Sequence, residues 1–281
     1  MTAGSRAADD QDMEIIDAYL EHLRRAQCTK KTIFDREKML RRLNRDLEYG
    51  IGQVSTEELS VWLYRDEWSQ NTKATFYHNL KSFYGWAADP RDPWLSADPT
   101  VDMEHVSRPR GIARPVTDEQ LAYILANAVE PYRTWAILAC YQGFRCIEIS
   151  RADREHFTER YTFVDEGKGG DPRVHDTDPT VWATVKGLPP GPIARLADGT
   201  RATPTQVSVR SALYFQRKLG LPKVSMHRLR HWLGVTVQRE YKDIKVTQAV
   251  LGHKALSSTE IYTMASEQQQ RAARSTLPRF A

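Results

Sequence analysis

Apolar residues recur at helical spacing through the first hundred positions. From Met13 to Ala26 they fall at Ile15, Ile16, Ala18, Tyr19 and Leu23, a period of about 3.6 that predicts a helix. Thr29 is placed to cap a second helix, with Ile33, Met39, Leu40, Leu43 and Leu47 as its apolar positions and Tyr49-Gly50 as its stop. Ser55 and Glu58 have capping-box spacing just ahead of Leu59, Trp62 and Leu63. A fourth helix is predicted from Gln70 to Ala88, through Phe76, Leu80, Phe83, Tyr84 and Trp86. The polar residues 1–11 ahead of this pattern read as a disordered tail.

The pattern then changes. Asp89 to Pro115 contains Pro90, Pro93, Pro99, Pro109 and Pro115, which forbid a continuous helix and predict an extended connection with a domain boundary near residue 110. Beyond it the signals are mixed. Thr117 can cap a helix to Val129, and Tyr132 to Tyr141 reads as a second, ending at Gly143. Arg160 to Asp165 and Pro172 to His175 read as short strands around a turn, Glu166-Gly167-Lys168-Gly169-Gly170. Helices are predicted at Pro204–Leu219, Ser225–Glu240 and Ile244–Leu251, with a shorter one at Ser258–Met264. The expected fold is mainly α with a small antiparallel β-sheet. A helical domain over 12–104 and a basic linker over 105–115 precede an α+β domain over 116–281.

Length agrees with two domains, since 281 residues can bury a core in each. No apolar run approaches the roughly 18–20 residues of a membrane span, and the N-terminus lacks the apolar stretch of a signal peptide. Cys28, Cys140 and Cys146 are odd in number and fit no zinc spacing, which points to reduced thiols and no metal site. The net charge of +4 says little, but its distribution says more. Residues 20–45 carry Arg24, Arg25, Lys30, Lys31, Arg36, Lys38, Arg41, Arg42 and Arg45 against Glu21, Asp35 and Glu37. Arg108, Arg110 and Arg114 crowd the linker without an acid. Local excess of this kind suits a polyanion, although a solvated helix face gives the first cluster equally well.

The candidate chemistry lies in the second half. His227-Arg228-Leu229-Arg230-His231 puts His227, Arg230 and His231 on one helical stripe with no interleaved carboxylate, a poor packing face and a good phosphate cradle. Arg145 follows the glycine break at the start of a helix, with Glu148 one turn on to buttress it. Lys168 sits among glycines in the expected turn, where a lysine can protonate a leaving alkoxide. Tyr262 lies nine residues after His253 in Leu251-Gly252-His253 … Thr259-Glu260-Ile261-Tyr262. Breaking a phosphodiester without a metal needs this inventory: a nucleophile, fixed cations beside the non-bridging oxygens and an acid for the leaving oxygen. Each of these residues also has a bland reading, as a surface arginine, a loop lysine or a loop tyrosine.

Taken in order, Arg145, Lys168, His227, Arg230, His253 and Tyr262 resemble the tyrosine recombinase, or phage integrase, family. The HxLRH and LGH…TxxY signatures carry the resemblance, which covers nearly the whole chain after residue 11. It implies a helical core-binding domain over 12–104 and a catalytic domain over 116–281 that clamp double-stranded DNA. Arg108, Arg110 and Arg114 would pass along the phosphates. It further implies that Arg145 and Arg230 hold the scissile phosphate, that His227 and His253 position it and assist proton transfer, and that Lys168 is the general acid. Glu148 and His231 would support the site, and Tyr262 would form a 3′-phosphotyrosine link.

No cofactor is expected, because the covalent link keeps the phosphodiester energy and no GxxxxGK[ST] loop occurs in the sequence. The resemblance also implies a homotetramer across two attachment sites, an accessory DNA-bending protein as a candidate partner, and action on DNA in a bacterial cytoplasm. A separate arm-binding domain is not expected, since about eleven residues precede the first predicted helix. A type IB topoisomerase or a regulator without catalysis would share parts of the pattern. The LGH histidine and helical first domain distinguish the first, and the intact arginines and tyrosine distinguish the second.

Overall fold

The computed structural model describes residues 3–109, 111–164 and 172–252. The chain divides into two compact units, Met1–Arg110 and Gly111–Ala281, and the division falls inside the stretch expected to be a linker.

The first unit is built on α1 (Ala3–Arg25), α2 (Lys30–Asp46), α3 (Thr56–Leu63) and α4 (Gln70–Ala87). Helix starts follow side-chain chemistry. The Thr29 hydroxyl accepts from the Thr32 amide at 3.1 Å, and Ser55 and Glu58 form a reciprocal capping box. The core gathers Ile15, Ile16, Tyr19 and Leu20 of α1, Leu40 and Leu43 of α2, Trp62 and Leu63 of α3, and Phe83 and Tyr84 of α4.

Two expectations need correction here. Helix α1 begins at Ala3, so residues 3–11 belong to it and are not a tail; alanine, at Ala3, Ala7 and Ala8, is the best helix former. Asp12, read as the first ordered residue, is buried within α1 and accepts from the Gly52 amide at 2.9 Å. Helix α2 stops at Asp46, before Tyr49-Gly50. The cause is local: the Asn44 side-chain oxygen captures the Ile51 amide at 3.0 Å and turns the chain back, while Asp46 accepts from Trp62 at 3.0 Å and Arg65 at 2.7 Å.

The second unit holds α5 (Asp118–Asn127), α6 (Tyr132–Cys140), α7 (Cys146–Arg151), a 3₁₀ turn at Arg154–His156, β1 (Tyr161–Val164) and β2 (Arg173–Asp176). It continues with α8 (Pro179–Val185), α9 (Pro204–Arg217), α10 (Met226–Tyr241) and α11 (Ile244–Leu251). Helix α6 is the buried centre, with Trp135 through Cys140 all covered, and it packs against α10. Gly143 ends this segment at φ +67, with Leu233 and Arg230 packed against it. Helix α8, which the hydrophobic pattern did not reveal, starts at Asp178, whose carboxylate accepts from the Thr180 amide at 2.7 Å, with Pro179 following.

The two strands pair antiparallel, with Tyr161 opposite Asp176 and Val164 opposite Arg173. Their burial is inverted relative to an ordinary half-buried strand. In β2, Arg173 and His175 are half-buried while Val174 is 56% exposed. Arg173 and His175 share a sheet face with Val164 and Thr162, both buried. Among the described residues no helix is long and apolar enough to cross a membrane, and Cys28, Cys140 and Cys146 are free thiols.

Candidate active site

The centre of the site is one buried carboxylate. Glu148 sits in the first turn of α7 and accepts the Arg145 amide at 2.8 Å through Oε2. Its Oε1 accepts from Arg145 Nη1 at 2.9 Å and from Arg173 Nη2 at 2.8 Å. Arg230 Nη1 lies 4.0 Å from Oε2. Three guanidiniums therefore converge on a side chain with no exposure of its own. Burial alone would raise the Glu148 carboxyl. The Arg145 amide, the Arg173 hydrogen bond and the charges of Arg173 and Arg145 outweigh it and hold the group below its ordinary value.

Arg230 is 2% exposed and donates from Nη2 to the Leu251 carbonyl at 2.7 Å. That bond fastens the end of α11 to α10. Gly252 then caps α11 in the left-handed region at φ +60, so the chain turns out of the helix immediately before His253. His227 and His231, one turn apart on α10, bring their rings to 4.2 Å at 65°. His227 is exposed and His231 is buried. Burial first, then the charges of His227, Arg230 and Arg228, lower His231 to about 4. His231 is therefore neutral at neutral pH, and the stripe carries one fixed charge, Arg230, and two imidazoles of different exposure.

Arg145, Glu148, His227, Arg230 and His231 thus lie in the second unit around the α7 start and the α10 face. Lys168, His253, Tyr262 and Arg110 lie outside the described residues. Arg108 and Arg114 are exposed. The Arg108 side chain donates to the Thr75 hydroxyl at 2.9 Å, within the first unit. The Arg114 carbonyl accepts from Arg228 Nε at 2.9 Å, within the second.

Three residues of the site escaped the sequence reading. Arg228 stands inside the His227–His231 motif and donates to the carbonyls of Arg114 and Pro115, while its own carbonyl accepts the Val116 amide. It fixes the entry of the chain into the second unit. Arg173 and His175 are the others. Arg173 Nε donates to His175 Nε2 at 2.6 Å, so the proton of the neutral ring is on Nδ1. Burial first, then the Arg173 charge, lower the His175 pKa, with Glu148 opposing and Arg230 adding. The signal that could have found them is the inverted strand, a valine flanked by Arg and His where alternation would turn the valine inward.

Chemically, the arrangement suits an anion with several oxygens. Guanidinium forks around one buried acid are held rigidly and carry net positive charge, which stabilises charge developing on a phosphorane.

No protein-family model matches the chain. Among curated proteins it is similar to tyrosine recombinase XerC of Pseudomonas putida strain W619, with 24% identity over 270 residues, 88% of this chain and 90% of the relative. It is 27% identical over 278 residues to tyrosine recombinase XerC of Neisseria meningitidis serogroup C, covering 88% and 89%. Among solved structures it shares its fold with a lambda integrase dimer bound to a COC′ core site. That match has TM-score 0.73 and 16% identity, over 89% of this chain and 94% of that one. The chain thus has sequence likeness to tyrosine recombinases along nearly the full length of both relatives, and it shares the helical-plus-hairpin fold of an integrase.

Proposed function

We propose that the chain is a site-specific DNA recombinase that cuts and rejoins strands through a 3′-phosphotyrosine at Tyr262. The observation that carries this reading is the Glu148 hub, which holds Arg145 and Arg173 and has Arg230 within 4.0 Å. In the proposed step the Tyr262 phenolate oxygen attacks phosphorus, the bond to the 5′ oxygen breaks, and Lys168 gives that oxygen a proton. Arg145 and Arg230 carry the charge that gathers on the non-bridging oxygens, and His227 and His253 orient the phosphate and assist proton transfer. A phenol of ordinary pKa about 10 is mostly neutral at pH 7, and neighbouring guanidiniums favour its ionised form. The 5′ hydroxyl of a second strand then displaces the tyrosine, so one phosphodiester replaces another and no energy donor is consumed.

The partners we propose are double-stranded DNA core sites and further copies of the chain, four across two sites. Arg108, Arg110 and Arg114 would contact phosphates, which makes affinity fall with salt and adds little sequence choice. The setting we propose is the integration or excision of a phage or other mobile element. The test is an exchange assay with two labelled duplexes bearing the element's junction sequences. Recombinant products are expected; relaxation of supercoiled DNA without exchange would instead identify a topoisomerase, and exchange confined to unrelated chromosomal sites would contradict the proposed setting.

A further inference from the structure

The proposed chemistry gives no task to Arg173 and His175, yet both turn inward from a strand that exposes its valine. Arg173 makes three contacts from one guanidinium. Nη2 reaches Glu148 Oε1 at 2.8 Å, the oxygen that also accepts from Arg145. Nε donates to His175 Nε2 at 2.6 Å. The group also lies against Gly252: a β-carbon built there would stand 2.8 Å from Nε and 3.1 Å from Cζ. In the sequence, Arg173 comes shortly after Lys168, and Gly252 directly precedes His253.

We propose that Arg173 is a positioning residue: with His175 as its acceptor, it clamps strand β2, which follows Lys168 in the sequence, to the Glu148 hub and the cap of α11. The proposal rests on the recombinase reading above and adds to it. A planar fork can serve a carboxylate and an imidazole at fixed angles, and a lysine, as a point donor, cannot. The acceptor must be a neutral ring, because a protonated imidazole has no lone pair on Nε2 and would repel Arg173 and Arg230. The charged groups around His175 are Arg173, Glu148, Arg230 and Asp176. Asp176 is on its own strand, and Glu148 and Arg230 face it from α7 and α10.

Two measurements on the full-length protein test this. The first is the rate of covalent adduct formation on a nicked suicide duplex, with an oxygen or a bridging sulfur at the 5′ leaving position. A thiolate leaves without a proton, so it bypasses the acid. Arg173→Ala and Arg173→Lys are expected to slow cleavage of the oxygen substrate by roughly 100-fold, the low end of what a placed acid supplies. DNA affinity should stay within about threefold, and the sulfur substrate should recover most of the lost rate. His175→Gln, which keeps an acceptor without a titrating ring, should slow the oxygen substrate less than Arg173→Ala and lose part of the acid limb of the profile. A deficit of equal size on both substrates, or full activity in Arg173→Lys, overturns the clamp.

The second measurement is the ¹⁵N spectrum of the His175 ring, which needs no activity. The clamp expects an Nδ1–H tautomer titrating below the ordinary 6.5, reverting toward it in Arg173→Ala. An ordinary titration in the wild-type protein overturns the clamp even if the enzyme is active. A wild-type protein that forms no adduct but shows the Nδ1–H tautomer overturns the recombinase reading and leaves the clamp standing.

Discussion

Two clusters of cations in this chain are built in opposite ways. On α1 and α2, five basic side chains pair with acids that, like them, are at least a third exposed: Arg24 and Arg25 with Glu21, Lys31 with Asp35, Arg41 with Asp17 and Glu37, and Arg42 with Glu67. Around α7 and α10, Arg145, Arg173 and Arg230 gather on Glu148, which is wholly covered. The first cluster has the larger charge count in the sequence, and its pairs face solvent. The second is spread over three separate segments and is the one that holds its charges rigidly. Excess of charge along the chain thus does not by itself mark where cations are held rigidly; a single buried acid shared by several arginines does.

The largest expected effect comes from the shared acid. Glu148→Gln leaves guanidiniums facing each other without their counter-charge and is expected to cost about 3–5 kcal/mol of stability, measured by urea unfolding. A loss no larger than a surface pair's would mean that the cluster is not held together by that carboxylate. Next is Gly252→Ala, which places a β-carbon at φ +60 and 2.8 Å from Arg173 Nε. About 1–2 kcal/mol is expected from the backbone alone. Displacement of Arg173 should appear as a change at the His175 ring in the same variant. An unaltered His175 signal would separate α11 from the clamp.

Acid should weaken the second cluster. His231 and His175 have lowered pKa values in the folded state, and so does Glu148. For each, the unfolded chain binds protons more readily, so stability is complete above the unfolded value and falls as pH drops through the folded one. For His231 that window runs from the ordinary 6.5 down to about 4. Histidine NMR titration together with thermal melts between these limits checks it, and a flat stability profile there would contradict the burial of His231. The smallest effect is expected for Arg24→Ala or Lys31→Ala. Their exposed pairs with Glu21 and Asp35 should contribute less than about 0.5 kcal/mol and less still in high salt.

Much of the fold was legible because its starts are written in short-range chemistry. Thr29, Ser55 with Glu58, and Thr117 cap the helices they were expected to cap, and α11 runs from Ile244 to Leu251 as its periodicity predicts. Helix α8 was not legible because Pro179-Thr180-Val181 reads as extended until Asp178 is seen to cap it. The start of α1 was missed because polarity was taken for disorder, although alanine favours the helix.

At the site, the arginines and histidines beside glycine breaks and motif spacings could be read directly. Arg173 could not, since its partner Glu148 is distant in sequence and the rule of alternation turns Val174 inward. Nor could Arg228 be told from filler, because its targets are the backbone carbonyls of Arg114 and Pro115.

The most direct test of the account is whether Tyr262 becomes covalently joined to DNA. A nicked suicide duplex carrying the target site should trap a protein–DNA adduct through a 3′ phosphate, and peptide mapping should locate it on Tyr262. Tyr262→Phe should abolish the adduct while DNA binding persists. An adduct that survives in Tyr262→Phe, or one mapped to another side chain, would contradict the account.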